Sequence, residues 1–276
     1  MPIGISGQPS LVFTYNNETL LCGGYNNQQK CLELEENQWQ EHSALKNPRR
    51  YASSVSLWSA VFIFGGVDSS TTWEWLPSEG PTEWISGTNN IPGFGLREAC
   101  AVRASTGVRI ILIGGYGTNE RVLKFDSINK QFTNMGDEIL NQGRWLHACT
   151  YFEGLIIIAG GFNAGSYISS TEVINANDLT TANINFGSMV QARAYHGLTA
   201  VQIDGSTKIL AVGGYANGNY LDSIEIWDPT SGAWKMTSMK LSEKKREFGL
   251  IVVAPPPTGK QPMNKMILVL WFTVHP

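Results

Sequence analysis

Five arginines recur at one place in a repeating pattern and are the first candidates for binding chemistry. Each opens a short segment that leads into an apolar run. A guanidinium group can bind a carboxylate through two parallel hydrogen bonds, so a ring of such arginines would suit an acidic partner. In the alternative interpretation, each arginine only ties adjacent repeats together by bonding loop carbonyls. The five are Arg50, Arg97, Arg144, Arg193 and Arg246.

Histidine and cysteine offer a second kind of chemistry, which is metal binding. His147 and His196 stand at matching places in consecutive repeats, and the pattern assigns Cys100 to the same place in the preceding repeat. Together they could hold a metal ion, but no His-x-His, Cys-x-x-Cys or Glu-x-x-His spacing supports a ligand set. Packing between repeats is the plainer interpretation, and the sequence predicts no metal ligand.

The elements that would position these residues repeat along the chain. Five apolar runs end in two glycines, with the second glycine at 24, 66, 115, 161 and 214 and intervals of 42, 49, 46 and 53 residues. Glycine lacks a Cβ, so the pair suits the end of a buried strand where backbones crowd. Strands repeating at this period predict an all-β propeller with one four-stranded blade per repeat. The glycines are Gly23, Gly24, Gly65, Gly66, Gly114, Gly115, Gly160, Gly161, Gly213 and Gly214.

Large aromatic residues recur on the third and fourth predicted strands. Trp227 and Trp234 flank a turn that begins with Asp228-Pro229, and such pairs bury a large apolar area. The fourth repeat is the exception, because TTANIN (180–185) stands where a tryptophan is expected. The tryptophans assigned to blade packing are Trp39, Trp84, Trp227 and Trp234.

The order of these features resembles the Kelch motif: an arginine, an apolar strand, Gly-Gly with an aromatic, a third strand, a turn and a tryptophan. The resemblance covers about residues 10 to 270 and implies one propeller domain whose loops converge on one face. Its blades fall at about 10–45, 50–88, 97–138, 144–187 and 193–240, with a partial sixth at 246–276. The sixth copy shows two strands before Pro276, so we expect six blades with the last incomplete, and favour a truncated product over an unusually thin blade.

The resemblance also implies a binding site. In Kelch domains that bind acidic peptides, arginines of this position and the aromatic after Gly-Gly help to line the binding face. Carried over to this chain, the aromatic residues are Tyr25, Tyr116, Phe162 and Tyr215, while the second repeat has Val67. We therefore expect a protein-interaction module, serving as a scaffold or substrate-recognition domain, whose partner is a protein or an acidic peptide.

The alternative function is a propeller enzyme acting on carbohydrate, because galactose-oxidase-like copper enzymes share this fold. Such a centre needs two histidine and two tyrosine ligands and a cysteine crosslinked to one tyrosine. The repeat itself explains the placement of His147 and His196. No Gly-x-Ser-x-Gly, Walker or Gly-x-Gly-x-x-Gly motif is present, so we predict no catalytic residue and no cofactor.

Composition argues against other classes of partner. The net charge is −3 without a long basic block, so we expect no nucleic-acid partner, and no apolar run is long enough for membrane insertion. The N-terminus shows no signal peptide, which slightly favours the cytoplasm; secretion is the alternative if the N-terminus is truncated. Cys22 and Cys31 are either a disulfide or two buried thiols. The compartment and the oligomeric state stay open.

Overall fold

The computed structural model describes residues 11–253 and 266–270, with gaps at 17, 25–27, 37, 94, 105–107, 118–119, 137–138, 183, 185 and 246–248. Within these residues the chain consists of strands and turns, without a helix. None of the described residues therefore forms a helix that could cross a membrane. Contacts divide the chain into two compact units, whose boundary in the sequence lies between Trp145 and Leu146.

The first unit contains three antiparallel sheets of four strands, one for each of the first three repeats, and we call each sheet a blade. Blade 1 consists of β1 (Leu11–Tyr15), β2 (Glu18–Cys22), β3 (Cys31–Glu35) and β4 (Gln38–His42). Blade 2 consists of β5 (Ser53–Ser56), β6 (Ala60–Phe64), β7 (Trp73–Pro77) and β8 (Ile85–Ser86). Blade 3 consists of β9 (Cys100–Arg103), β10 (Arg109–Ile113), β11 (Val122–Asp126) and β12 (Gln131–Gly136). β5 lies beside both β1 and β9, so the first strands of successive blades are neighbours.

The second unit contains the fourth and fifth blades and a final pair of strands. Blade 4 consists of β13 (Ala148–Phe152), β14 (Leu155–Ala159) and β17 (Thr171–Asn175), with the hairpin β15 (Phe162–Asn163) and β16 (Ser166–Tyr167) inserted. Blade 5 consists of β18 (Gly197–Ile203), β19 (Ser206–Ala216), β20 (Asn219–Asp228) and β21 (Ala233–Lys245). β22 (Gly249–Val253) and β23 (Met266–Leu270) pair as two strands of the expected incomplete sixth blade.

Apolar side chains on the second strands form the core of the blades. All five residues of β6 are buried, as expected for a strand covered on both faces. Aromatic residues fill the space between blades 2 and 3, where the rings of Trp73 and Phe125 lie 4.8 Å apart. Trp84 is buried and meets Phe13 of blade 1 edge to face at 5.9 Å. Trp39 packs less deeply, against Leu21 and Leu32 of its own blade.

The fourth blade departs from the pattern where the sequence lacks a tryptophan. Its described residues form no fourth strand, and only a single bridge joins Ile174 to Thr181. Phe186 supplies the missing aromatic surface, since its ring stacks on Trp227 of blade 5 at 4.0 Å. An aromatic residue just beyond the polar segment therefore replaces the expected strand residue in the core of this unit.

Trp227 should be one of the costliest core residues to remove. It lies opposite Trp234 in the β20–β21 register and contacts both Phe152 and Phe186. Trp227→Ala is expected to lower the free energy of unfolding by about 3–5 kcal/mol, because the cavity cannot be filled by neighbouring strands. Equilibrium denaturation measures the loss, and the exposed Trp58→Ala is the matched control. An equal, small effect of both substitutions would contradict the packing described for this blade.

Candidate partner-binding site

The Gly-Gly pairs lie where successive blades approach each other closely. All ten glycines have φ between 57° and 110°, in the range that favours glycine. A Cβ on Gly65 would lie 2.0 Å from the carbonyl oxygen of Leu96, at the entrance to the next blade. A Cβ on Gly66 would lie 2.9 Å from the carbonyl oxygen of Arg50, at the entrance to its own blade. The first glycine of the pair therefore faces the following blade, and the second faces its own.

The arginines that the sequence aligns do not share one position, and the prediction of a single ring is wrong. The N–H of the second glycine in each of the first four pairs donates to the carbonyl of one residue at the entrance to the next blade. Those residues are Arg49, Leu96, Arg144 and Arg193. Arg50 and Arg97 come one residue later. Because a shift of one residue turns a side chain to the other face of the backbone, the two groups have different surroundings.

Arg144 and Arg193 are fully buried, so neither lines a binding face as the sequence predicted. The Nη2 of Arg193 lies 2.6 Å from Glu225 Oε1, and its Nη1 donates to the carbonyl of Gly213 at 2.7 Å. Burial lowers the pKa of Arg193, while the carboxylate of Glu225 acts in the opposite direction. Since Gly161 donates to the backbone carbonyl of the same arginine, Arg193 joins blades 4 and 5.

Arg49, which the sequence pattern missed, makes the same connection between blades 1 and 2. Its Nε lies 2.6 Å from Glu74 Oε1, and both side chains are fully buried. In blade 3 the corresponding positions hold Leu96 and Leu123, which pack in one apolar cluster. The Arg–Glu pair and the Leu–Leu pair are thus alternative solutions for the same position. The alternative interpretation of the arginines, a tie between adjacent blades, describes Arg49 and Arg193.

The prediction that Cys100 shares the repeat position of His147 and His196 also needs a correction. A Cβ on Gly66 would meet the Cβ of Ala52 at 3.3 Å, and one on Gly115 would meet the Cβ of Ala99 at 3.1 Å. A Cβ on Gly214 would meet the Cβ of His196 at 2.8 Å in the same way. Ala52, Ala99 and His196 therefore share one position, and Cys100 lies one residue beyond it. The grouping of Cys100 with the two histidines was wrong.

The two cysteines of blade 1 form a disulfide. Cys22 and Cys31 face each other in the β2–β3 register, and their Cα atoms are 4.1 Å apart. The bond joins the strand before the first Gly-Gly pair to the strand after its loop. Of the two alternatives left by the sequence, the structure contains the disulfide.

Arg97 and Tyr116 come together on an accessible surface. Tyr116 is 46% exposed, and the guanidinium carbon of Arg97 lies 3.8 Å from the centre of its ring. The ring of Trp145, a residue that the sequence reasoning missed, lies 4.6 Å from that of Tyr116. A depression of about 410 Å³ beside them reaches Val67 of blade 2. We call Arg97, Tyr116, Trp145 and Val67 the Arg97 patch.

Arg50 and Arg97 both bring a positive charge to the Arg97 patch, but they differ in their interactions with carboxylates. Arg50 pairs with Asp68 at 3.2 Å, which neutralises much of its charge. Arg97 makes no salt bridge with a carboxylate of the described residues, although Glu98 follows it in the chain. Burial raises the pKa of Glu98, and the charge of Arg97 partly offsets this rise. Arg97 therefore offers the more available cation of the two.

A second aromatic surface follows the Gly-Gly pairs of blades 4 and 5. Phe162 and Tyr167 pair across the hairpin β15–β16, with ring centres 4.9 Å apart. Tyr215 and Tyr220 pair across the β19–β20 hairpin at 5.3 Å, and Tyr167 reaches Tyr215 at 5.6 Å. Tyr220 is 44% exposed. We call these four residues the tyrosine patch.

The predicted site residues thus separate into three groups. Arg97 with Tyr116, and Phe162 with Tyr215, come together in the two patches. Arg144 and Arg193 are buried between strands, and Arg50 forms a surface ion pair. The remaining two predictions, Tyr25 and Arg246, lie outside the described residues.

Comparisons with known proteins agree with the fold. The family model of the Kelch motif matches residues 192–238, which contain most of the fifth repeat. The human Kelch-like protein 23 is 24% identical over 225 residues, which cover 79% of this chain and 38% of that protein. The solved structure of YjhT matches 96% of this chain and 95% of its own with a TM-score of 0.72 and 13% identity.

Repeat pattern, blade topology and these matches define the class: this chain is a Kelch-repeat β-propeller, as the sequence predicted. Its fold is the one that Kelch interaction modules use. The matched part spans 38% of the length of the human relative. The single-domain boundaries stay a prediction.

Proposed function

We propose that the chain is a protein-interaction module and that the Arg97 patch is its principal contact with a partner protein. The observation that carries the proposal is the stack of Arg97, Tyr116 and Trp145 on an accessible surface at the Gly-Gly end of the blades. Arginine, tyrosine and tryptophan are the residue types that contribute most to binding energy in protein interfaces.

The chemistry of the Arg97 patch favours an acidic segment in the partner. The guanidinium group of Arg97 lies against a ring, which orients it and leaves its edge available to donate hydrogen bonds to a carboxylate of the partner. Tyr116 and Trp145 add flat apolar area that is ordered before binding, which lowers the entropic cost of association. An Asp or Glu side chain next to an apolar residue would satisfy both features.

The tyrosine patch is a separate candidate contact, which lies on the second unit. Its four rings are held in two hairpins, and tyrosine contributes both apolar area and a hydroxyl group. Asn217 and Asn219 belong to the same hairpin as Tyr220 and supply amide groups that suit main-chain or hydroxyl contacts. Such a surface suits a polar, hydroxyl-rich segment of the partner.

Paired substitutions test the proposal. Arg97→Ala with Tyr116→Ala is expected to weaken binding of the partner about 30-fold or more, since two hot-spot side chains are removed. The affinity of the unsubstituted protein for its partner should also fall as the salt concentration rises, because the charges involved are partly exposed. Affinity purification from matched cells, followed by titration of the recovered partner, measures both effects.

The matched control changes a cation and an apolar side chain on the outer strand β21. Lys235→Ala with Met236→Ala alters two exposed residues far from the Gly-Gly end of their own blade. It should leave the affinity unchanged. If the partner binds equally well to both double variants, the contact lies elsewhere and the proposal fails.

A further inference from the structure

Trp58 is an exposed tryptophan at the other end of the blades. It lies in the turn that joins β5 to β6, and β6 runs from this turn to Gly65. Its side chain is 85% exposed, whereas Trp73 of the same repeat is 2% exposed. A large apolar side chain held in water in this way has no role in the core of blade 2.

The turn that carries Trp58 is held in place on both sides. The N–H of Leu57 donates to the carbonyl of Ala60 at 2.8 Å and closes the turn. Ser78 donates from its N–H to the carbonyl of Ser59 at 2.9 Å and from its hydroxyl to the carbonyl of Trp58 at 3.2 Å. The indole is therefore presented from an ordered backbone, which lowers the cost of using it in an interface.

The positively charged side chain of Arg103 lies beside the indole of Trp58. Arg103, the last residue of β9, places its guanidinium carbon 5.6 Å from the centre of the Trp58 ring. It forms no salt bridge with a carboxylate in the part of the chain that the structure describes. A cavity of about 280 Å³ lies between Trp58, Arg103 and the β1–β2 turn, and Arg103 is the one charged residue among the described residues that line it.

Most of the uncharged polar side chains around this cavity are already engaged inside the protein. Four of them donate hydrogen bonds to main-chain carbonyls, at 3.0, 3.3, 2.8 and 3.2 Å; they are Tyr15, Asn16, Ser56 and Ser78. Arg103 is left as the strong donor toward a ligand. A sugar, which needs several hydrogen bonds at once, fits this surface poorly, whereas one carboxylate beside one apolar group fits it well.

We propose that Trp58, Arg103 and the cavity between them form a second docking surface, the Trp58 surface, for a peptide segment of another protein. The segment would place an acidic side chain at Arg103 and an apolar side chain against the indole of Trp58. The Trp58 surface is independent of the Arg97 patch, because the residues of the two surfaces lie at opposite ends of the strands.

Selection from a displayed library of random short peptides on the intact protein tests the proposal. The enriched peptides should contain Asp or Glu next to an apolar residue. Their affinity should fall about tenfold or more with Trp58→Ala and with Arg103→Ala, as hot-spot residues require. It should fall also as salt rises, because Arg103 is partly exposed. Trp58→Ala should leave the melting temperature unchanged, so a loss of binding cannot be attributed to unfolding.

Two controls make the result decisive. Ile128→Ala removes another apolar side chain exposed on a turn, and it should not affect the selected peptides. The peptides that depend on Trp58 and Arg103 should be unaffected by Arg97→Ala with Tyr116→Ala, whereas acidic peptides selected by the Arg97 patch should show the opposite dependence. The proposal is overturned if no selected peptide depends on both Trp58 and Arg103, or if the dependent peptides lack acidic residues. Self-association of the protein that Trp58→Ala abolishes, or glycan binding that Arg103→Ala abolishes, would also overturn it.

Discussion

Gly65→Ala is expected to lower the free energy of unfolding by about 2–5 kcal/mol. A left-handed backbone costs a non-glycine residue about 1–2 kcal/mol. In addition, the new Cβ would lie 2.0 Å from the carbonyl oxygen of Leu96, so the entrance to blade 3 must shift. Overpacking of this kind costs about 1–3 kcal/mol more. Equilibrium unfolding in urea, followed by tryptophan fluorescence, measures the sum.

Gly80→Ala separates the two contributions. Gly80 also has a positive φ, of 99°, but a Cβ there would meet no atom within 4 Å. It should show only the backbone cost, about 1–2 kcal/mol. Equal losses for the two variants would mean that the contact between blades at Gly65 contributes nothing.

Glu74→Leu is expected to cost about 3–5 kcal/mol, because it leaves the buried guanidinium of Arg49 without its carboxylate. Adding Arg49→Leu should restore a large part of that loss, since blade 3 already packs Leu96 and Leu123 at the equivalent positions. A double-mutant cycle in chemical denaturation measures the coupling between the two sites.

The surface pair of Lys30 and Glu41 provides the comparison. Glu41 is well exposed, so Glu41→Gln should leave the stability close to that of the parent. If Glu74→Leu behaves like Glu41→Gln, or if the double variant is worse than Glu74→Leu alone, the structural role assigned to the buried pairs is wrong.

The sequence was informative where the repeat imposes a backbone requirement. Ten glycines at fixed positions predicted a crowded junction with positive φ, and the structure has both features at Gly65 and Gly66. The alignment of equivalent positions between repeats was harder to predict from the sequence. Arg50 and Arg144 are both arginines, but their positions in the repeat differ by one residue. One residue decides whether an arginine is buried or faces solvent. Tertiary hydrogen bonds, absent from the sequence, set that register.

Some missed residues did leave a signal. The segments FNAGSY (162–167) and YANGNY (215–220) share an aromatic residue at each end and a glycine at the same place. In both, the residue before the glycine also has a positive φ, as the tight turns of hairpins require. This shared pattern predicts two hairpins, and it would have paired Tyr167 and Tyr220 with their neighbours. Nothing in the sequence, by contrast, marks Trp58 as exposed.

Site-specific photo-crosslinking tests the central claim, which is that the Gly-Gly ends of the blades bind a protein partner. A photoreactive phenylalanine analogue at the position of Tyr116, and separately at that of Tyr215, should crosslink the same protein in cells. The same analogue at Met236, on the outer strand, should not. Adducts from the first two positions that map to an acidic or hydroxyl-rich segment are the result we predict. Crosslinks from Met236 alone, or equally from all three positions, would contradict the account.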